Sequence, residues 1–205
     1  MDTHVWLAYL ATAIIFSLAP GSGMVNSVSN GLAYGMRRSL SAIVGLQIGL
    51  AIHILLVGAG IGVLVAQSAT LFNILKWLGA AYLLWLGIQK WRTSSTLEAV
   101  QIEKSISSRA LFYKAILINL TNPKSIVFLV ALFPQFIDPY ANQMTQLLIL
   151  GFTTVIIDGF VMLGYTFLAS QIGGVVRSEK IMSRMNKIFG SMFIGCGALL
   201  ASVKY

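Results

Sequence analysis

A chain of 205 residues that is 57% hydrophobic and 10% charged, with a mean hydropathy of +0.83, cannot cover its own surface with polar groups in water; soluble domains carry about a quarter charged residues. The formal charge of +8 does not point to nucleic acid, because the basic residues sit in short segments between apolar runs and form no binding stripe. Cys196 is the single cysteine, so neither a disulfide framework nor a thiol metal pair can form, and no metal or cofactor is expected.

Met1-Asp2-Thr3-His4 lacks the basic start of a signal peptide, and no small-residue cleavage site leads into a soluble domain, so Val5 is read as the start of a retained helix. A spanning helix takes about 20 predominantly apolar residues. In chain order the qualifying stretches are Val5–Asn26, Ser41–Ala66, Thr70–Trp91, Ala115–Phe136, Thr145–Gln171 and Ile188–Val203.

The first stretch is interrupted by Pro20-Gly21-Ser22-Gly23. Pro20 has no N–H and leaves the carbonyl of Phe16 without its intrahelical partner, while Gly21 and Gly23 let the backbone turn. A half-helix starting near Ser22 would aim free N–H groups at whatever lies there. In a bilayer such groups are tolerated only inside protein or beside a water-filled cavity; a plain kink packed on a neighbour is the alternative. The second stretch holds Gln47 and, near its centre, His53, which is either a hydrogen-bonded core residue or part of the same cavity.

The third stretch begins Lys76-Trp77-Leu78-Gly79, and after it comes the only extended polar segment, Thr93–Ser108, with Glu98 and Glu103. That segment reads as a flexible cytoplasmic linker, dividing the chain into residues 1–92, a joint over 93–109, and residues 110–205. In the fourth stretch Pro123 frees the carbonyl of Asn119, and Thr121 and Asn122 offer polar side chains beside it. Lys124 follows, near mid-span, where an ammonium is costly and calls for a partner and a role unless it snorkels to the interface. Asp158, in the fifth stretch, is the only acidic residue deep in any span. It is either the counter-ion of Lys124, in a structural or a functional pair, or a carrier of protons.

Lys and Arg are unevenly shared. Arg37 and Arg38 follow the first stretch; Lys90, Arg92, Lys104, Arg109 and Lys114 lie between the third and fourth; Arg177, Lys180, Arg184 and Lys187 follow the fifth. The other side has Lys204 and, near the start of the third stretch, Lys76. The bias puts the basic loops in the cytoplasm and both termini outside, which an even number of spans requires. The halves also echo each other: a proline break in each first helix, a central ionisable residue in each second helix, and Lys187-Ile188-Phe189-Gly190 matching the start of the third. Three spans per half would insert the second half upside down. The fold expected is all-α and membrane-embedded, with six transmembrane helices as two inverted three-helix repeats whose first helices are broken, a pattern of secondary transporters.

Pro20-Gly21-Ser22-Gly23, Asn119-Leu120-Thr121-Asn122-Pro123-Lys124 and Leu132-Phe133-Pro134-Gln135-Phe136 together resemble the lysine-exporter (LysE/RhtB) superfamily of amino-acid efflux transporters over essentially the whole chain. Gly45 to His53 and Lys76 to Tyr82 are most similar to its homoserine/homoserine lactone exporter branch. Many members have Pro-Gly-Pro where Ser22 stands third here. The resemblance implies an exporter of small amino acids in the bacterial cytoplasmic membrane, driven by the proton gradient.

The expected mechanism is alternating access around a mid-membrane site between the two breaks, lined by Pro20, Gly21, Ser22, Gln47, His53, Asn119, Asn122, Pro123, Lys124 and Asp158. Homoserine, its lactone and threonine are the candidate substrates; a lactone has an ammonium but no carboxylate, so freed carbonyls and Asp158 suit it. The expected partners are the substrate, protons and the bilayer, with a homodimer left open and nucleic acid excluded. An intramembrane serine protease would need Gly at the position of Pro20, leaving only Ser22 with His53 as a partial match, and a thiol carrier would need a second cysteine. A channel or importer remains the other alternative.

Overall fold

The computed structural model describes residues 1–67, 69–92, 106–138, 140–171 and 179–202. The proposed linker lies almost wholly outside them, as do Lys104 and Arg177. The described chain is helical: α1 (Thr3–Leu18), α2 (Ser22–Gln67), α3 (Ala69–Arg92), α4 (Ser108–Leu120), α5 (Pro123–Val127), a π-helical turn (Phe128–Leu132), a 3₁₀ turn (Phe133–Phe136), α6 (Gln143–Gln171) and α7 (Glu179–Ser202).

Local chemistry sets the ends. Asp2 caps α1 by accepting from the amide of His4 at 2.7 Å, and Ser107 caps α4 by accepting from the amide of Ala110 at 3.2 Å. At the far end of α1, Ala19 is extended (φ −66°, ψ 132°), as a residue before proline prefers. α4 starts at Ser108 and α7 at Glu179, well before the expected Ala115 and Ile188. Arg109, Lys114, Arg184 and Lys187 therefore lie in helix, not loop. Long basic side chains favour helix, and hydropathy marks the edge of an apolar stretch, not the end of a helix.

The 46 residues of α2 are two helices joined at Gly35, whose backbone (φ 70°, ψ 175°) leaves the helical region. Positive φ there suits glycine. The two arms lie on α6 in opposite senses. In the short arm Thr166 bonds Ser27 O at 3.3 Å, and a Cβ at Gly31 would meet Ala169 at 3.1 Å, so both chains advance together. In the long arm Gln47 meets Asp158, while a Cβ at Gly151 would touch Ile54, so the two run antiparallel. The chain thus turns back at Gly35, where Arg38 Nη2 donates to Ile106 O at 2.6 Å and ties this turn to the entry of α4.

The same comparison orients the other contacts. α1 runs parallel to α6, with Trp6 Nε1 donating to Thr153 at 3.2 Å and Tyr165 donating to Leu18 O at 2.7 Å. α4 runs parallel to the long arm of α2, from Gly45 beside Ala115 to His53 beside Leu120. α1 crosses the segment after α5 antiparallel: Phe16 stacks on Phe128 at 3.8 Å, and Tyr9 meets Phe136 edge-on at 5.0 Å. α3 and α7 are antiparallel, brought close where a Cβ at Gly87 would fall 2.6 Å from Gly190 O; small residues allow such approach between membrane helices.

Tyr9, Phe16, Leu50, Phe128, Phe133 and Leu150 form the core where α1, α2, α6 and the segment after α5 meet. Trp77, Trp85, Phe152 and Phe160 are more than half exposed, as apolar side chains facing lipid would be. By length and apolar composition, Ser22–Gly60 and Gln143–Gln171 can each cross a membrane, and Ser108–Leu120 with Pro123–Phe136, bent by 52°, make a third candidate among the described residues. α1 is a shorter apolar helix.

Candidate functional site

The two proline breaks meet at the centre of the molecule. At the first, Pro20 cannot donate to Phe16 O, which accepts instead from the Ala19 amide at 3.2 Å and from Lys124 Nζ of the second break at 2.8 Å. The same ammonium donates to Ala19 O at 2.8 Å and stands 4.4 Å from the centroid of the Phe16 ring. Gly21 makes room for the lysine stem: a Cβ there would lie 3.3 Å from its Cδ and Cε. Leu18 O, the next freed carbonyl, accepts from Tyr165.

The second break is closed by its own sequence. Asn122 Oδ1 accepts from the amide of Lys124 at 3.1 Å, its Nδ2 donates to Ser125 Oγ at 2.9 Å, and Pro123 occupies the first helical position. With the Lys124 amide turned to Asn122, Leu120 O is left to His53 Nε2 at 3.1 Å. Asn119 Nδ2 donates to Leu46 O at 2.7 Å, fixing α4 on α2.

Asp158 is 7% exposed and accepts from Gln47 Nε2 at 2.9 Å. Ser17 approaches the carboxylate but makes no hydrogen bond of normal geometry. Of the two sequence readings of Asp158, counter-ion of Lys124 or proton carrier, the direct pair is not formed here: the ammonium takes carbonyls and the carboxylate an amide. The physical reason is the break itself, since two carbonyls with acceptor capacity to spare lie where the lysine arrives.

Six buried side-chain atoms among the described residues lack a hydrogen-bond partner: Ser17 Oγ, Ser22 Oγ, Ser27 Oγ, Gln47 Oε1, His53 Nδ1 and Asn119 Oδ1. Buried polar atoms are normally paired, and each exception calls for a ligand, water or function. All six belong to the breaks, the helix arms leading from them, or the α2 face toward them.

The structure therefore joins Pro20, Gly21 and Lys124 in one cluster, Gln47 and Asp158 in a second, and His53 with the end of α4 in a third. Ser22 is among the orphans, whereas Asn122 and Pro123 serve the local cap. Phe16, Ser17 and Tyr165 were missed as side chains. The i−4 rule applied to Pro20 already names the Phe16 carbonyl, but nothing in the sequence marks its ring or Tyr165.

A family profile described as LysE type translocator matches residues 14–203. The chain is 68% identical over 204 residues, covering all of both chains, to an uncharacterized membrane protein of Vibrio cholerae. It is 50% identical over 205 residues, again all of both, to the homoserine/homoserine lactone efflux protein of Salmonella typhimurium. It is 32% identical to the leucine efflux protein of an Enterobacter species, covering 95% of this chain and 94% of that one. No solved structure matches it.

Proposed function

The chain belongs to the LysE-type translocators, and we infer that it is a secondary active exporter of small amino acids or their derivatives across the bacterial cytoplasmic membrane. Homoserine and homoserine lactone are the proposed substrates, with threonine next, on the strength of the full-length similarity to an efflux protein of that name. The observation that carries the reading is the meeting of two helix breaks with orphaned polar atoms around them, in helices apolar enough for lipid. Irregular backbone at membrane depth is stable only around a cavity or inside protein, and paired breaks are where transporters bind substrate.

The architecture proposed is six spans in two inverted repeats, residues 1–92 and 110–205, joined by 93–109, with both termini outside. Helix directions support it. The contacts of the first span with the fourth, the second with the fifth and the third with the sixth are antiparallel, while first–fifth and second–fourth are parallel. These directions fit a two-fold axis lying in the membrane plane, as they fit any chain whose spans alternate. A single shift of 103 positions carries Pro20 to Pro123 and Gly87 to Gly190, and the last two face each other. Rocking of one repeat against the other would open the site to either side, with a proton exchanged on one of Lys124, Asp158 or His53 in each cycle.

Cells overproducing the protein should tolerate toxic homoserine or its lactone and hold less of it inside. Equal internal levels with and without verified expression would sink the substrate assignment.

A further inference from the structure

The acceptors at the first break have the composition of an ammonium site, and their occupant is a side chain of the protein itself. Two carbonyl oxygens, Phe16 O and Ala19 O, each receive a hydrogen bond from Lys124 Nζ at 2.8 Å, and the Phe16 ring stands 4.4 Å away. An ammonium has three donors and no acceptor, so carbonyls and an aromatic face are the neutral groups that recognise it. Phe128 stacks on the Phe16 ring at 3.8 Å and helps to hold it in place. Because these contacts come from neutral groups, one primary ammonium could replace another with no change in charge or in the hydrogen bonds made.

We propose that Phe16 O, Ala19 O and the Phe16 ring form a binding site for a primary ammonium, which Lys124 fills as a tethered placeholder and which the substrate's ammonium takes over during transport. The identity of the substrate, though not the site, rests on the exporter reading above. Release of Lys124 is transmitted directly to the second break, because its own amide is bonded to the cap Asn122 and the helix it leaves is only Pro123–Val127 before a π-helical turn. Single π turns inside helices are frequent where function needs adaptable backbone. Asp158, buried and bonded to Gln47, is the acid that would receive the freed ammonium. A short tether gives an effective concentration of about millimolar or more. Substrate therefore displaces it only when abundant, which suits a protein that removes excess solute.

The test uses the full-length protein in lipid nanodiscs. In Lys124→Ala the cage is vacant, and methylammonium should raise the melting temperature saturably by about 2–4 °C, while tetramethylammonium, which has no N–H, should not. The wild type should respond to neither. A folded Lys124→Ala protein indifferent to methylammonium, or a wild type stabilised equally, overturns the proposal. The second arm needs no variant. Lysine modification of the wild type is read by mass spectrometry, with Lys124 normalised to exposed Lys114 in the same sample. Homoserine lactone should make Lys124 severalfold more reactive, and an unchanged or lower ratio counts against displacement. A positive methylammonium arm beside a flat lactone arm would leave the site standing and reject the substrate.

Discussion

The two breaks look alike in sequence and are stabilised in opposite ways. The second carries its own cap: Asn122 accepts from the Lys124 amide and donates to Ser125, Pro123 fills the first helical position, and Leu120 O looks outward, to His53. The first has only the Ala19 amide, which reaches Ile15 O at 3.1 Å and Phe16 O at 3.2 Å; Ala19 O, Leu18 O and the second bond to Phe16 O depend on Lys124 and Tyr165, each more than 100 positions away. A self-capped break is a fixed turn. A break whose carbonyls also lean on two other helices can be opened by moving them, so the proposed mechanism makes the first break the movable half of the site.

Lys124→Met should have the largest effect. It orphans Ala19 O at a cost of about 1–3 kcal/mol, leaves Phe16 O with only the Ala19 amide, and removes the cation that would displace a bound ammonium, so export should fall to background and chemical unfolding should shift markedly. Wild-type unfolding in this variant would mean the first break is closed some other way. Asp158→Asn should also abolish export, but Gln47 can still donate to the new amide oxygen, so the stability change should be within about 1 kcal/mol. Loss of folding rather than transport would make Asp158 a structural residue.

Lys124→Met and Asp158→Asn together also test the separation of partners described above. Stability losses close to additive fit separate partners, whereas recovery in the double variant would restore the direct pair as the main interaction.

How far this was legible in the sequence depends on range. Pro20 and Pro123 announced the breaks, and the i−4 rule named the Phe16 carbonyl, because both are properties of a few adjacent residues. The donor to that carbonyl was not legible. It depends on the α5 segment crossing α1 in the opposite sense, and a mid-span lysine and a mid-span aspartate suggest each other before any crossing is known. Helix starts were misplaced for a similar reason: Arg109 and Arg184 ended the apolar pattern without ending the helix. The turn before Arg37 and Arg38 was not legible as a break within one long helix, because it needs only Gly35 outside helical geometry.

The smaller effects sharpen the contrast between the breaks. Asn122→Ala removes a cap and should cost about 1 kcal/mol, with export reduced but measurable, because the first break keeps its donors. Tyr165→Phe removes the single bond to Leu18 O and should cost about 0.5–1.5 kcal/mol, and its effect on export should exceed that of Asn122→Ala at comparable stability. The reverse order would put the movable element at the second break.

The most direct test of the central claim is export by purified protein in liposomes loaded with labelled homoserine, with a proton gradient imposed and then collapsed. Wild-type protein should release substrate faster than empty liposomes only while the gradient stands, and Lys124→Met and Asp158→Asn should match the empty control. Gradient-independent release, or variants as fast as wild type, would contradict a proton-driven exporter whose site is built from the two breaks.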